Sequence, residues 1–167
     1  MKTFTAVCWT SAAVFVAAGC GSDPLPTSPA PRPVIPISVM VTPTPIRARF
    51  VSSDGRTSTY QAAVEITLAE VGGVGVRIDK FTETTTYTLQ TEQGTVSLVV
   101  PATSDVLHQI PAGASMTHSR VLQFGASTGE GVTWSLRVAG VDSQGRPFAT
   151  ASPTIAVVLE PGATGGE

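Results

Sequence analysis

The chain has 167 residues, 42% of them hydrophobic and 13% charged, with a net charge of -2. That is enough for one domain of ordinary size, with segments left over for targeting and linking. Its ten Lys and Arg residues are scattered singly, so the sequence shows no basic cluster to displace counterions from a nucleic-acid backbone, which with the mild acidity argues against nucleic acid as a partner.

Residues 1–19 have the parts of a secretory signal: Lys2 near the start, an apolar run from Phe4 to Ala18 broken only by Thr and Ser, and small residues before Cys20. The run is shorter than the roughly 20 apolar residues a membrane span needs. It is expected to guide export and then be cleaved. The stretch Ala17-Ala18-Gly19-Cys20 resembles the lipobox of bacterial lipoproteins, departing from its usual form only in having Ala17 where Leu, Val or Ile is preferred. The resemblance implies that the Cys20 thiol receives a diacylglyceryl group and that Cys20 becomes the acylated N-terminus. It also implies a bacterial cell-envelope location, and Gly21 in place of Asp after the lipidated Cys favours the outer membrane. Cys8 leaves with the signal, so the mature chain holds one cysteine and no internal disulfide.

From Gly21 to Pro45 the composition shifts to Pro, Ser and Thr, with only Asp23 and Arg32 charged. A segment with so few apolar groups and so many prolines stays extended. In the polyproline II form, roughly 20 residues reach about 60 Å, at about 3.1 Å each. The expected organisation is a signal at 1–19, a lipidated Cys and disordered Pro-rich linker at 20–33, a folded domain at 34–160 and a Gly-rich tail at 161–167.

Within the domain the pattern has period two. Ile35, Ile37, Val39 and Val41 alternate in a segment whose flanking prolines suit a sheet edge or a continuation of the linker. Tyr60, Ala62, Val64, Ile66 and Leu68 share one face of a strand, and Gln61, Glu65 and Thr67 lie on the other. Val74, Val76 and Ile78 repeat the alternation. So do Val96, Leu98 and Val100; Val132, Trp134, Leu136 and Val138; and Ile155, Val157 and Leu159. Trp134, in mid-strand among apolar residues, reads as a core anchor. Asp54-Gly55 reads as a hairpin turn, Gly72-Gly73 as a tight reversal, and Asp142 to Gly145 as a type I turn. The stretch Ser104–Gly113 fits a bent strand or a short helical turn.

Seven to nine short strands with turns every ~8–12 residues predict an all-β fold, an antiparallel sandwich. The rhythm, in stretches such as VEITLAEVGGVGVRI and LRVAGVDSQGRPFATA, is similar to immunoglobulin-like and fibronectin type III-like modules from about Ile35 to Leu159. The Cys pair of antibody domains is absent.

Candidate chemistry is sparse. Gly125-Ala126-Ser127-Thr128-Gly129 matches G-x-S-x-G, but a strand-like sequence follows it where a nucleophile elbow needs a helix. Both histidines, His108 and His118, precede Ser127, whereas the hydrolase order places the His after the nucleophile. The two histidines are a potential shared metal pair lacking the further ligands of a zinc site. Gly72–Arg77 lacks the third glycine of a dinucleotide fingerprint, and Asp142 lacks the repeated acids of a calcium loop. Glu65, Glu70, Asp79 and Glu83 are expected singly on outward faces. The expectation is therefore a monomeric, non-enzymatic module without cofactor or metal. Its expected contacts are the membrane, through the lipid, and an envelope protein or glycan, with an accessory subunit of a larger complex as the alternative and a Ser127 hydrolase third.

Overall fold

Side chains that branch or broaden close to the backbone pack best on a pleated surface, so segments rich in Val, Ile, Thr and aromatics extend. The computed structural model describes residues 36–126 and 131–161, all within a compact unit, Pro33–Glu167, and follows that rule. The described residues form nine strands and no helix: β1 (Ile37–Thr42), β2 (Ile46–Ser53), β3 (Ser58–Glu70), β4 (Val76–Thr91), β5 (Gly94–Ile110), β6 (Ser115–Ala126), β7 (Gly131–Asp142), β8 (Pro147–Ala151) and β9 (Ile155–Glu160). The signal, Cys20, the 20–33 linker and the tail beyond Pro161 lie outside the described residues.

β3 is the hub of one half. β6 pairs with it antiparallel from Ser58↔Ala126 to Ala69↔Ser115. Its other edge is shared between β1, from Ile37↔Glu70 to Thr42↔Glu65, and the end of β2, from Arg49↔Gln61 to Ser53↔Ser58. β7 is the hub of the second half, with β4 on one edge and β8 and β9 on the other, and β5 extends this half beyond β4.

The halves meet at β2. Ile46–Arg49 pair parallel with Val157–Glu160 of β9, which corrects the expectation of a wholly antiparallel arrangement. Pro43 and Pro45, both preceded by cis peptide bonds, separate β1 from β2. Prolines cannot donate to a ladder, so the β1–β3 pairing stops at Thr42 and the chain is free to cross over. The result is one mixed nine-stranded sheet, and it is not a closed barrel: among the described residues β5 and β6 pair only with β4 and β3 respectively.

One apolar cluster takes residues from both halves. Val64, Ile66 and Leu68 come from β3, Ile78 and Phe81 from β4, Leu122 and Phe124 from β6, and Trp134, Leu136 and Val138 from β7. Trp134 is 1% exposed, so the mid-strand Trp is the core anchor its neighbours predict. The register shifts between Ile78 and Lys80, where β4 bulges against both neighbours. Opposite the shift, Gly140 lies so close that a Cβ there would overlap the Arg77 carbonyl. A glycine is needed at that point because backbone occupies the space.

The Ser104–Gly113 stretch resolves as the last part of β5 followed by a turn. At the other end of β5, the alternating residues form a strand but not a core. Val96 is 59%, Leu98 62% and Val100 43% exposed. Among the described residues only the tip of the β4–β5 hairpin, with Val96, runs past the β4–β7 ladder, which reaches Thr88↔Gly131. Leu98 and Val100 lie opposite Tyr87 and Thr85, which β7 does pair, so their exposure means that no described layer covers that face.

Candidate functional site

Among the described residues, two of the three buried polar residues, Glu70 and Asp142, lie at one end of the sheet, where β3 leads into β4 and β5 into β6. Glu70 is the last residue of β3 and is buried. Its Oε1 accepts the N–H of Gly72 at 2.7 Å and of Val74 at 3.3 Å, and its Oε2 accepts the N–H of Gly113 at 2.6 Å. The carboxylate thus organises its own turn and ties it to the β5–β6 corner. The Gly113 amide is the largest influence, and it and the turn amides outweigh burial, holding the carboxyl below the usual range. Outward placement was expected for Glu70; the following Gly72-Gly73 reversal, which presents several unpaired amides, turns it inward instead.

Asp142 closes the β7–β8 turn in the same manner. Burial pushes its carboxyl up, but hydrogen bonds from Arg146 and Gln144 and the Arg146 charge prevail, and the net direction is down. Its Oδ1 accepts the Gln144 and Arg146 amides, each at 2.9 Å, and the Arg146 guanidinium donates to Oδ2 at 2.7 Å. The Gly145 N–H donates to the Asp142 carbonyl at 2.9 Å, as a type I turn requires. Ser143 carries this turn to the β3–β4 turn: its N–H donates to the Gly75 carbonyl at 3.0 Å and its hydroxyl to the Val74 carbonyl. A cleft of about 380 Å³ lies alongside, lined by Gly75, Arg77, Gln109, Pro111 and Ser143 among others.

This end is built, but its chemistry is structural. A carboxylate whose pKa is held down and whose oxygens already accept several N–H groups is a poor proton acceptor near neutral pH. Arg77, at the mouth of the cleft, is engaged by Asp79 at 2.7 Å. Asp54 at the β2–β3 hairpin repeats the device on a smaller scale, accepting the amides of Thr57 at 2.7 Å and Arg56 at 2.8 Å. Those bonds, Thr57 first, lower its pKa.

The two histidines meet. His108 on β5 and His118 on β6 have ring centroids 6.4 Å apart, and Phe81 packs beside His108 at 6.0 Å. Among the described residues, no group of three or more His, Cys, Asp or Glu is placed to hold a metal ion. Two positions along β6, Arg120 pairs with Glu83 of β4 at 2.7 Å. Glu83, whose side chain is only 13% exposed, was expected to face outward. The β4 bulge before it reverses the parity that a straight count from Val76 gives, and so turns it in. Ser127 lies outside the described residues, so the G-x-S-x-G match gains no structural context.

No protein-family model and no curated protein matches the sequence. Solved structures do match in fold. The X-ray structure of Northeast Structural Genomics Consortium target SoR45 is 13% identical, with a TM-score of 0.52, over 79% of this chain and 92% of that one. The crystal structure of a Bordetella pertussis protein given the name ApaA, target BeR40, is 15% identical with a TM-score of 0.49, over 76% of this chain and 98% of that one. At 13% identity, the likeness to SoR45 is one of fold alone.

Proposed function

We propose that this chain is a lipid-anchored protein of the bacterial cell envelope whose immunoglobulin-like β-sandwich is a non-enzymatic binding or adhesion module. The sandwich reading draws on the strand switch, in which β1 pairs with β3 and the next few residues pair parallel with β9, so that the two halves enclose one core. The anchor reading draws on Cys20 at the seam between apolar run and proline tract.

The observation that carries the binding role is the uncovered half of β5. Val96, Leu98, Val99 and Val100 lie between 43% and 62% exposed on a strand whose outer edge has no partner among the described residues. Exposed apolar side chains beside an open ladder are a feature of surfaces that another chain covers. Glycans are held by polar and aromatic groups at a concave site, so this edge favours a protein contact.

A pull-down from detergent-solubilised membranes tests the reading. Capture that is lost when Val99→Lys places a charge on β5 supports a β5 contact. Capture indifferent to that change, or capture of neither a foreign protein nor a second copy, removes it. A single stoichiometric foreign partner moves the reading to the alternative, an accessory subunit of a larger envelope complex. Labelling of Ser127 by a fluorophosphonate that vanishes in His118→Ala replaces both with a hydrolase.

A further inference from the structure

The direction of the backbone groups along β5 follows from a contact two strands away. The Leu136 carbonyl on β7 accepts the Ser152 N–H at 2.8 Å, and the Leu136 N–H donates to the Ser152 hydroxyl at 3.0 Å. Leu136 therefore turns its backbone groups away from β4, although it lies opposite Glu83. In antiparallel ladders the direction alternates residue by residue, so Thr84 bonds toward β7 and not toward β5. Thr84 pairs with Pro101, whose missing N–H thus falls at the free edge and costs the β4–β5 ladder nothing. Counting back along an unshifted register, Thr95, Ser97 and Val99 also aim their N–H and C=O groups outward, while Gly94, Val96, Leu98 and Val100 bond to β4.

Two features limit what fits this edge. Pro101 removes a donor, so a partner strand is excluded there and the usable ladder is Thr95 to Val99. The residues from Gln93 to Ser104 carry no charge, so they lack the edge Lys with which proteins commonly repel a second copy of themselves.

We propose that β5 pairs antiparallel with β5 of a second copy, about a two-fold axis at Ser97. That register matches Ser97 with its own symmetry mate and Thr95 with Val99, giving about six main-chain hydrogen bonds at alternating pairs. It sets Val96 against Leu98 of the other copy, joining the uncovered apolar residues of both into one face. It also leaves Pro101 just past the last pair. A register centred one residue later, at Leu98, reaches the same number of bonds only by running the partner strand past Pro101, where each terminal pair with Thr95 lacks one of its two bonds. The proposal rests on the binding-module reading and specifies its partner.

The test is the mass of the purified full chain in detergent by light scattering, over a range of concentrations, with hydrogen exchange of the β5 amides. The expected result is a dimer in which the amides of Ser97 and Val99 exchange more slowly than in dilute monomer. Ser97→Pro is the informative variant. Its lost N–H faces the free edge, so the β4–β5 ladder survives, as it does at Pro101, and association weakens about tenfold or more. Circular dichroism unchanged from the wild type confirms that the variant folds, and Val99→Lys serves as a second disruption. A chain monomeric at every concentration overturns the proposal, as does a dimer indifferent to both substitutions. If the chain is monomeric but Val99→Lys still abolishes capture of foreign envelope proteins, the second-copy proposal falls and the β5 contact stands, with the stoichiometry of capture deciding between binding module and accessory subunit.

Discussion

The carboxylate of Glu70 accepts the Gly113 amide at 2.6 Å across 43 residues of sequence, joining the β3–β4 turn to the β5–β6 corner. Ser143 then joins the β3–β4 turn to the β7–β8 turn. Three connections at one end of the molecule are thus held by two buried acids and a serine. Glu70→Gln keeps an acceptor oxygen but places an amide donor against the remaining N–H groups and removes the charge that strengthens these bonds. It should lower the melting temperature, and hydrogen exchange at Gly72, Val74 and Gly113 should rise together, whereas other amides of the core strands stay protected.

Acid should destabilise the fold in a defined direction. Glu70, Asp142 and Asp54 all have pKa values lowered in the folded state. A carboxylate of this kind contributes stability above its unfolded pKa, about 4. The contribution is lost as pH falls through the folded value. Unfolding free energy from urea titrations should be nearly level between neutral pH and about pH 5 and decline below it. In Glu70→Gln the decline should be shallower, because one of the three groups no longer titrates. A decline of unchanged slope in that variant would show that Glu70 is not linked to folding.

Trp134 tests the core. It is the largest of the nearly inaccessible side chains and lies on β7, the hub of its half. Trp134→Ala should cost roughly 3–5 kcal/mol by urea denaturation. The emission of Trp134 is read as the difference between wild type and Trp134→Phe, which also removes any contribution from Trp9 where residues 1–19 are retained. That difference spectrum should be blue-shifted in the native state and redden on unfolding; a water-like difference spectrum would contradict its burial.

These elements were not equally legible in the sequence. Trp134 was readable because its strand alternates cleanly and its apolar neighbours all point the same way. Val96, Leu98 and Val100 alternate just as cleanly, yet their face is uncovered, because period two reports which residues share a face and not whether another layer lies over it. Glu70 was misread for a related reason. Its turn amides are local, but the Gly113 amide that completes its shell comes from a corner no local pattern points to. Glu83 was lost to the bulge near Asp79, and the parallel β2–β9 ladder to a strand switch that short pairing segments do not announce. The histidines were visible as candidates, but their approach depends on the β5–β6 corner.

Gly140 should tolerate no side chain. A Cβ there would overlap the Arg77 carbonyl oxygen and stand 2.9 Å from the Ile78 Cα, and both obstacles are backbone. Relief requires the β4 bulge to shift, which disturbs the pairing of β4 with β5 and β7 together. Gly140→Ala should therefore cost about 3 kcal/mol, at the upper end for overpacking. Gly55, where nothing lies within 4 Å of the added atom, is the contrasting site. Its φ of 86° makes alanine strained, but the cost is confined to the hairpin turn. Chemical denaturation of the two variants should separate them, with Gly140→Ala the less stable; the reverse order would mean that the bulge yields more easily than the turn.

Cys20→Ala tests the anchor independently of everything the fold determines. In the lipobox resemblance the thiol must be alkylated before the signal is removed, so one atom governs both lipid attachment and processing. The variant should incorporate no labelled fatty acid, should retain residues 1–19, and should run larger than the processed wild type on a denaturing gel. Its β domain should be unaffected, because among the described residues the apolar core is built from Ile37 onward. A simple secretory signal gives a different pattern, in which the variant is cleaved normally and neither protein carries a lipid. Fatty-acid incorporation equal to the wild type in Cys20→Ala would place the acylation elsewhere and remove Cys20 as the attachment point.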